Sequence, residues 1–251
     1  MKLNVRRDDI QFGENILDVE VPKALRKKIK SGLEYFDCAL GGEGFTPSQV
    51  LFFTGTPGSG KTTMLLTLAD RLTKSGALVV FNTAEESLYQ IKLIAERLRL
   101  KSGFQVGQET LVPTLLEKCD ALRNKAGNKN KPFFLLVDSL QCMDDGKYTN
   151  GSVNRASAER ALGQMTDYCK EHMCNAVVIG QVNKSGQMAG TNKLKHMVDA
   201  MMELSVEEKD VDLRGCRVLQ TTKNRFGGCG HTFFLALNGR GFKEVARVSA
   251  A

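Results

Sequence analysis

Gly55-Thr56-Pro57-Gly58-Ser59-Gly60-Lys61-Thr62 decides the fold of this 251-residue chain. A glycine comes first, then four residues, then Gly-Lys-Thr, with Thr63 next in line. Val50-Leu51-Phe52-Phe53 runs before it, apolar and β-prone; Met64-Leu65-Leu66-Thr67-Leu68-Ala69 follows, apolar and helix-prone. Strand, glycine loop, helix is the setting in which such a loop cradles phosphates. The glycines let the backbone wrap and aim successive N–H groups at one point, and the helix N-terminus adds its positive dipole end. Lys61 would reach the β- and γ-phosphates of ATP, and the Thr62 hydroxyl would bind Mg²⁺. The loop residues 55–63 are therefore the candidate nucleotide contacts.

The rest of such a site lies downstream. Phe133-Phe134-Leu135-Leu136-Val137 is an unbroken apolar run, as in a strand buried on both faces, and it ends at Asp138-Ser139. A carboxylate at the C-terminal end of such a strand stands where open α/β sheets bind ligands, so Asp138 is the second candidate Mg²⁺ partner. Leu78-Val79-Val80-Phe81 ends in Asn82-Thr83-Ala84-Glu85-Glu86-Ser87. Glu85 is placed to take the proton of an attacking water, and Glu86 to sit at the start of the next helix; both could equally serve the helix dipole. Ala176-Val177-Val178-Ile179-Gly180 ends in Gln181, an amide able to sense a γ-phosphate or position water.

Alternating patterns predict helices over 62–74, 87–99, 109–125 and 152–172, and strands over 50–54, 78–82, 133–138, 176–181, 200–205, 216–222 and 232–237. Alternation first and strands late give an α/β fold: a mostly parallel central sheet flanked by helices, with an antiparallel C-terminal extension. Residues 1–30 read as a basic arm, with a helix near Pro22 to Lys30, and 31–251 as the core. Two stretches break the pattern, Met143 to Ser152 and Lys184 to Lys193. Both follow strands that end on the side of the phosphate loop. Their glycines, lysines and small polar residues suit backbone phosphate of nucleic acid. Lys147, Lys184, Lys193 and Lys195 are the candidate DNA contacts, with Tyr148 the aromatic among them.

The formal net charge is +7 and the pI about 9.0, which fits a polyanionic partner. No apolar run is long enough to cross a bilayer, and the N-terminus carries no hydrophobic signal core, so a cytoplasmic location with no membrane contact is expected. The seven cysteines, none in C-x-x-C spacing, read as reduced thiols, and the three scattered histidines suggest no zinc site.

The order of these pieces resembles the RecA-type ATPase core, and more closely its bacterial RadA/Sms branch. The resemblance covers roughly residues 31–247. It is carried by Ser31 to Gly42, by Ala84-Glu85-Glu86-Ser87 with the helix that follows, by Leu136-Val137-Asp138-Ser139-Leu140-Gln141 as a Walker B strand, by Leu194 to Asp199 as the lead into the next strand, and by Lys223-Asn224-Arg225-Phe226-Gly227, the five-residue signature of that family. It implies a DNA-stimulated ATP hydrolase that forms hexameric rings on single-stranded or branched DNA and drives branch migration in recombination and repair. A recombinase or replisome protein would be its partner. It also implies that Lys223 and Arg225 act across the subunit interface on the neighbour's γ-phosphate. The catalytic set is then Lys61, Glu85, Gln181, Lys223 and Arg225. The family's four-cysteine zinc module and protease-like domain are not matched, so the core alone is expected, and Gln181 stands where close RadA relatives often carry His. A replicative-type helicase and a KaiC-like signalling ATPase that does not bind DNA are the alternative readings. A small-molecule kinase finds no acceptor motif.

Overall fold

The computed structural model describes residues 13, 15–148, 151, 153–181 and 191–249. In chain order the elements are α1 (Lys23–Arg26), α2 (Glu34–Ala39), β1 (Val50–Gly55), α3 (Lys61–Lys74), β2 (Leu78–Thr83), α4 (Leu88–Arg97), β3 (Gln105–Gly107) and α5 (Val112–Arg123). There follow β4 (Phe133–Asp138), a 3₁₀ turn (Leu140–Cys142), α6 (Arg155–His172), β5 (Asn175–Gln181), α7 (Thr191–Met197), β6 (Ala200–Val206), β7 (Arg217–Asn224), β8 (His231–Asn238) and β9 (Gly241–Ser249).

The strands form one sheet in the order β3-β2-β4-β5-β1-β6-β7-β8-β9. Pairing is parallel from β3 to β6 and antiparallel from β6 to β9. The fold is thus the expected RecA-like α/β core. β1, β2 and β4 are buried at every position because helices cover both faces. Alternate residues feed two cores. Leu51, Phe53, Val79, Phe81, Leu136 and Ile179 meet Met64, Leu65 and Leu68 of α3 on one face. Phe52, Val80, Leu135, Val137 and Val178 meet Leu115 of α5 and Leu162 and Met165 of α6 on the other.

Several expected boundaries move. The helix expected at 109–125 spans Val112–Arg123, with Pro113 in its first turn. The one expected from 152 begins at Arg155, because Asn154 caps it by accepting from the Ser157 N–H at 3.0 Å. The arm's helix is a single turn, and Ile29 beyond it pairs antiparallel with Phe45. Leu194 to Met197 belong to α7, with β6 starting at Ala200. β3, β9 and α2 were not anticipated. β9 matters to the site: Phe242, at its start, packs beside the phosphate loop.

Candidate functional site

The phosphate loop connects the buried end of β1 to α3. Gly60 sits at φ +102°, and a Cβ there would lie 2.9 Å from the Phe242 ring and 3.1 Å from Leu237, so the β8–β9 hairpin closes on the loop only because this residue is glycine. Lys61 folds back, its Nζ donating to the carbonyls of Gly55 at 2.8 Å and Thr56 at 3.0 Å. Burial pulls the Lys61 pKa down, opposed by the charges of Asp138 and Glu85. The Thr62 hydroxyl donates to Asp138 Oδ2 at 2.6 Å, so the two residues expected to share a cation stand together. A cleft of about 440 Å³ opens here, lined by Pro57, Gly58, Gly60, Lys61, Thr62, Thr63, Glu85, Glu86, Asp138, Ile179, Gln181 and Leu237.

Among the described residues one lysine, Lys61, lines this cleft with its three carboxylates. Burial pushes Asp138 up to about 6, helped by the charges of Glu85 and Glu86, while the Thr62 hydrogen bond and Lys61 act the other way. Among the described residues Glu86 Oε2 is buried without a hydrogen-bond partner, as is Ser59 Oγ inside the loop. A divalent cation bound between Thr62 and Asp138, with a polyphosphate on the loop amides, fits what these groups lack. Glu85 Oε1 accepts from Gln181 Nε2 at 2.8 Å and from the Ser139 hydroxyl. Gln141 Nε2 reaches the Gln181 carbonyl at 3.4 Å. The fold therefore brings Lys61, Thr62, Asp138, Glu85 and Gln181 into one site. Ser139 and Gln141 were not among the expected site residues; their signal was their place within three residues after Asp138. Ser87, not Glu86, caps α4, through a reciprocal Ser87–Gln90 capping box.

Lys223 and Arg225 lie elsewhere. Lys223 pairs with Met201 near the start of β6, whereas Gly55 of the loop is level with Leu204 near its end. They stand at the opposite end of the sheet from their own chain's cleft. Lys223 Nζ donates to the carbonyls of Val198 at 2.7 Å and of Lys195. Burial, and then the charge of Arg225, lower its pKa. Arg225 reaches Asp199 Oδ1 at 3.4 Å and the His196 carbonyl at 3.2 Å. Asp199 is the buried hub. Its Oδ2 accepts from Lys170 at 2.5 Å and from the Val50 N–H at 3.0 Å. Lys28 completes the group, bonding Thr46 Oγ1 at 2.7 Å and the Phe226 carbonyl at 3.1 Å.

Of the candidate DNA contacts, Lys184 lies outside the described residues. Lys193 is paired with Glu159 at 2.6 Å. Lys195 is exposed, and Lys147 is exposed with its Nζ 5.8 Å from the Tyr148 ring centre. Lys193 and Asp145 border the first turns of α6, where Glu159 holds Lys193 and Arg160 holds Asp145.

No family model matches the chain. It is 31% identical over 221 residues to the DNA repair protein RadA of Aquifex aeolicus (strain VF5), covering 88% of this chain and 47% of that protein. It is 33% identical over 226 residues to the RadA of Haemophilus influenzae, covering 89% of this chain and 46% of that protein. The chain thus spans about half the length of the curated relatives it matches. Among solved structures one isolated ATPase domain superposes with a TM-score of 0.74 at 15% identity, over 87% of this chain and 92% of that one. A DnaB-like replicative helicase gives 0.72 at 14%, over 84% and 61%. A KaiC-like protein from Pyrococcus horikoshii gives 0.68 at 16%, over 87% and 99%. These three share the fold alone. Identity near 30% along nearly nine-tenths of the chain, on a RecA-like strand order, makes the chain similar to the core of the RadA proteins over about half their length.

Proposed function

We propose that this chain hydrolyses ATP with Mg²⁺ at interfaces between its own copies, in a hexameric ring that tracks single-stranded or branched DNA and drives branch migration in recombination and repair. The observation that carries the reading is the opposite character of the two ends of the sheet. Among the described residues the cleft holds three carboxylates and one lysine, and the Lys223–Arg225 end holds Lys170 and Arg225 on Asp199 with Lys223 and Lys28 on neighbouring carbonyls. A head-to-tail ring brings the second end of one copy to the cleft of the next, and such a heterologous interface closes by rotation.

Each side chain has a role in this reading. The loop amides and Lys61 hold the β- and γ-phosphates. Thr62 and Asp138 would hold Mg²⁺, which neutralises charge on the phosphate oxygens. Glu85 orients the attacking water and takes its proton. Gln181, which bonds Glu85 in this structure, reports the γ-phosphate and passes that state to the segment after β5. Lys223 and Arg225 of the next copy supply cations to the charge that develops on the transferred group, as an arginine finger does. Lys147, Lys184, Lys193 and Lys195 contact DNA phosphates, with weak sequence preference. The residues before about 31 form an arm on this core.

One observation favours the signalling-ATPase alternative: Lys193 is already neutralised by Glu159. Steady-state ATPase activity with Mg²⁺, with and without single-stranded DNA, at two salt concentrations separates the readings. Stimulation by DNA that fades at high salt is the expected result. Hydrolysis indifferent to DNA, with no DNA binding in a parallel titration, would move the protein to the signalling class.

A further inference from the structure

We infer that strand β7 couples this chain's own phosphate loop to the cations it offers the next copy, and that Arg217 is the positioning residue at the loop end. The inference rests on the cross-subunit role proposed for Lys223 and Arg225 and adds the route by which one site senses the other.

Arg217 opens β7. Its Nε donates to the Ser59 carbonyl at 3.2 Å, and its Nη1 donates to the Gly215 carbonyl at 2.6 Å. The Ser59 carbonyl is not an incidental acceptor. It shares one planar peptide unit with the Gly60 N–H, and the two point in opposite directions. Holding that carbonyl outward aims the Gly60 N–H into the cradle. A phosphate drawing on the N–H turns the carbonyl against the guanidinium. Lysine would bring one ammonium on a flexible stem, whereas the planar fork of arginine holds both carbonyls in one geometry.

The strand beyond Arg217 is built to carry a displacement. Arg217 is paired on both sides, with Val206 of β6 and Leu235 of β8. Leu219 and Thr221, on the same face, are buried, and Thr221 Oγ1 donates to the Ala39 carbonyl at 2.6 Å. Lys223 lies toward the far end of the strand, about 20 Å from Arg217 at ~3.4 Å per residue, and its Nζ turns to the opposite face from Thr221, onto the Val198 carbonyl. An extra β7 residue sits between the pairs Met202–Thr221 and Met201–Lys223, a bulge immediately before Lys223. The pinned interior leaves two cationic ends as the parts that meet nucleotide: Arg217 through the loop of its own chain, Lys223 in the neighbour's site. Leu237 and Phe242 against Gly60 seat the same antiparallel extension on the loop.

The test compares the parent chain with Arg217→Ala and Arg217→Lys. Hydrolysis is followed against ATP concentration, and binding of a fluorescent ATP analogue is titrated in parallel. The parent is expected to respond sigmoidally. Arg217→Ala is expected to bring the Hill coefficient to about 1, with analogue affinity reduced less than about tenfold, and Arg217→Lys to fall between. A residue that merely supports the fold would lower amplitude and affinity while leaving the shape of the curve unchanged. Unchanged sigmoidicity in Arg217→Ala overturns the inference, as does a parent that hydrolyses without cooperativity. If the alanine chain fails to fold by circular dichroism, the lysine chain decides on the same criterion. A parent with no hydrolysis at all removes the proposed function, and the coupling falls with it.

Discussion

The two ends of the central sheet face the same physical problem with opposite signs. At one end Glu85, Glu86 and Asp138 crowd a cleft with Lys61 as the cation among the described residues; at the other Lys170 and Arg225 hold Asp199, with Lys223 on the Val198 carbonyl and Lys28 on the Phe226 carbonyl. Each end bears the cost of charges drawn from water without full compensation: Asp138 is pushed up to about 6, and Lys223 is pushed down. The overall charge of +7 conceals this division. Two ends of opposite sign are what the proposed head-to-tail contact between copies would bring together.

The two ends can be disabled separately and the variants then mixed. Lys61→Ala should lower turnover by at least about a hundredfold, and Lys223→Ala should lower it about as far while leaving nucleotide affinity within about threefold. Mixed in equal amounts, the two dead chains form some interfaces with both ends intact, so activity should recover to about a quarter of the parent level. Recovery no greater than the sum of the separate chains would show that the ends do not meet.

Asp199→Asn probes the basic end from inside. It leaves Lys170 and Arg225 without their carboxylate and should lower stability by about 2–4 kcal/mol in denaturant titration. An unchanged midpoint would mean that the cations are solvated rather than held. Asp138→Asn should act the other way at the acidic end. A carboxyl raised from its usual 3.8 to about 6 favours the folded chain at low pH, and that favour is lost as pH rises through 6. The asparagine chain should therefore be more stable by about 1–3 kcal/mol at pH 7.5 without nucleotide, and the two should converge below pH 4. Equal melting temperatures at pH 7.5 would refute the desolvation argument. The smallest effect belongs to Ser87→Ala. Loss of the α4 capping box should cost about 1 kcal/mol in thermal unfolding and change hydrolysis less than threefold, since it touches neither end directly.

The acidic end was largely legible in the sequence, and the basic end was only half so. Gly55 to Thr62, Asp138, Glu85 and Gln181 each sit at the end of a strand buried on both faces, so a local apolar run followed by a polar residue located them. Lys223 and Arg225 were recognised from a five-residue signature, but Asp199, Lys170 and Lys28 were not connected to them. Lys170 is 29 residues from Asp199 and Lys28 is 198 from Phe226, and no local pattern records such contacts. Arg217 was unreadable for the same reason, lying 158 residues from Ser59. β3 has three residues, too few to show a period. β9 mixes Lys243, Glu244 and Arg247 with apolar neighbours at the edge of the sheet, where one-sided burial permits charge. The six-residue α2 has no side-chain cap to announce it.

The central place of β1 also bears on how the chain is made. Val50 pairs with Ala176 and Leu51 with Ala200, so both neighbours of this strand come from much later in the sequence. At ~5–20 residues per second, the ribosome needs on the order of 6–25 s to advance from Val50 to Ala176. Through that interval Val50-Leu51-Phe52-Phe53 has no sheet to enter. The phosphate loop that follows it is synthesised before Glu85, Asp138 and Gln181 and is among the last of these to acquire its shape. A nascent chain halted before β5 would present this apolar strand to chaperones.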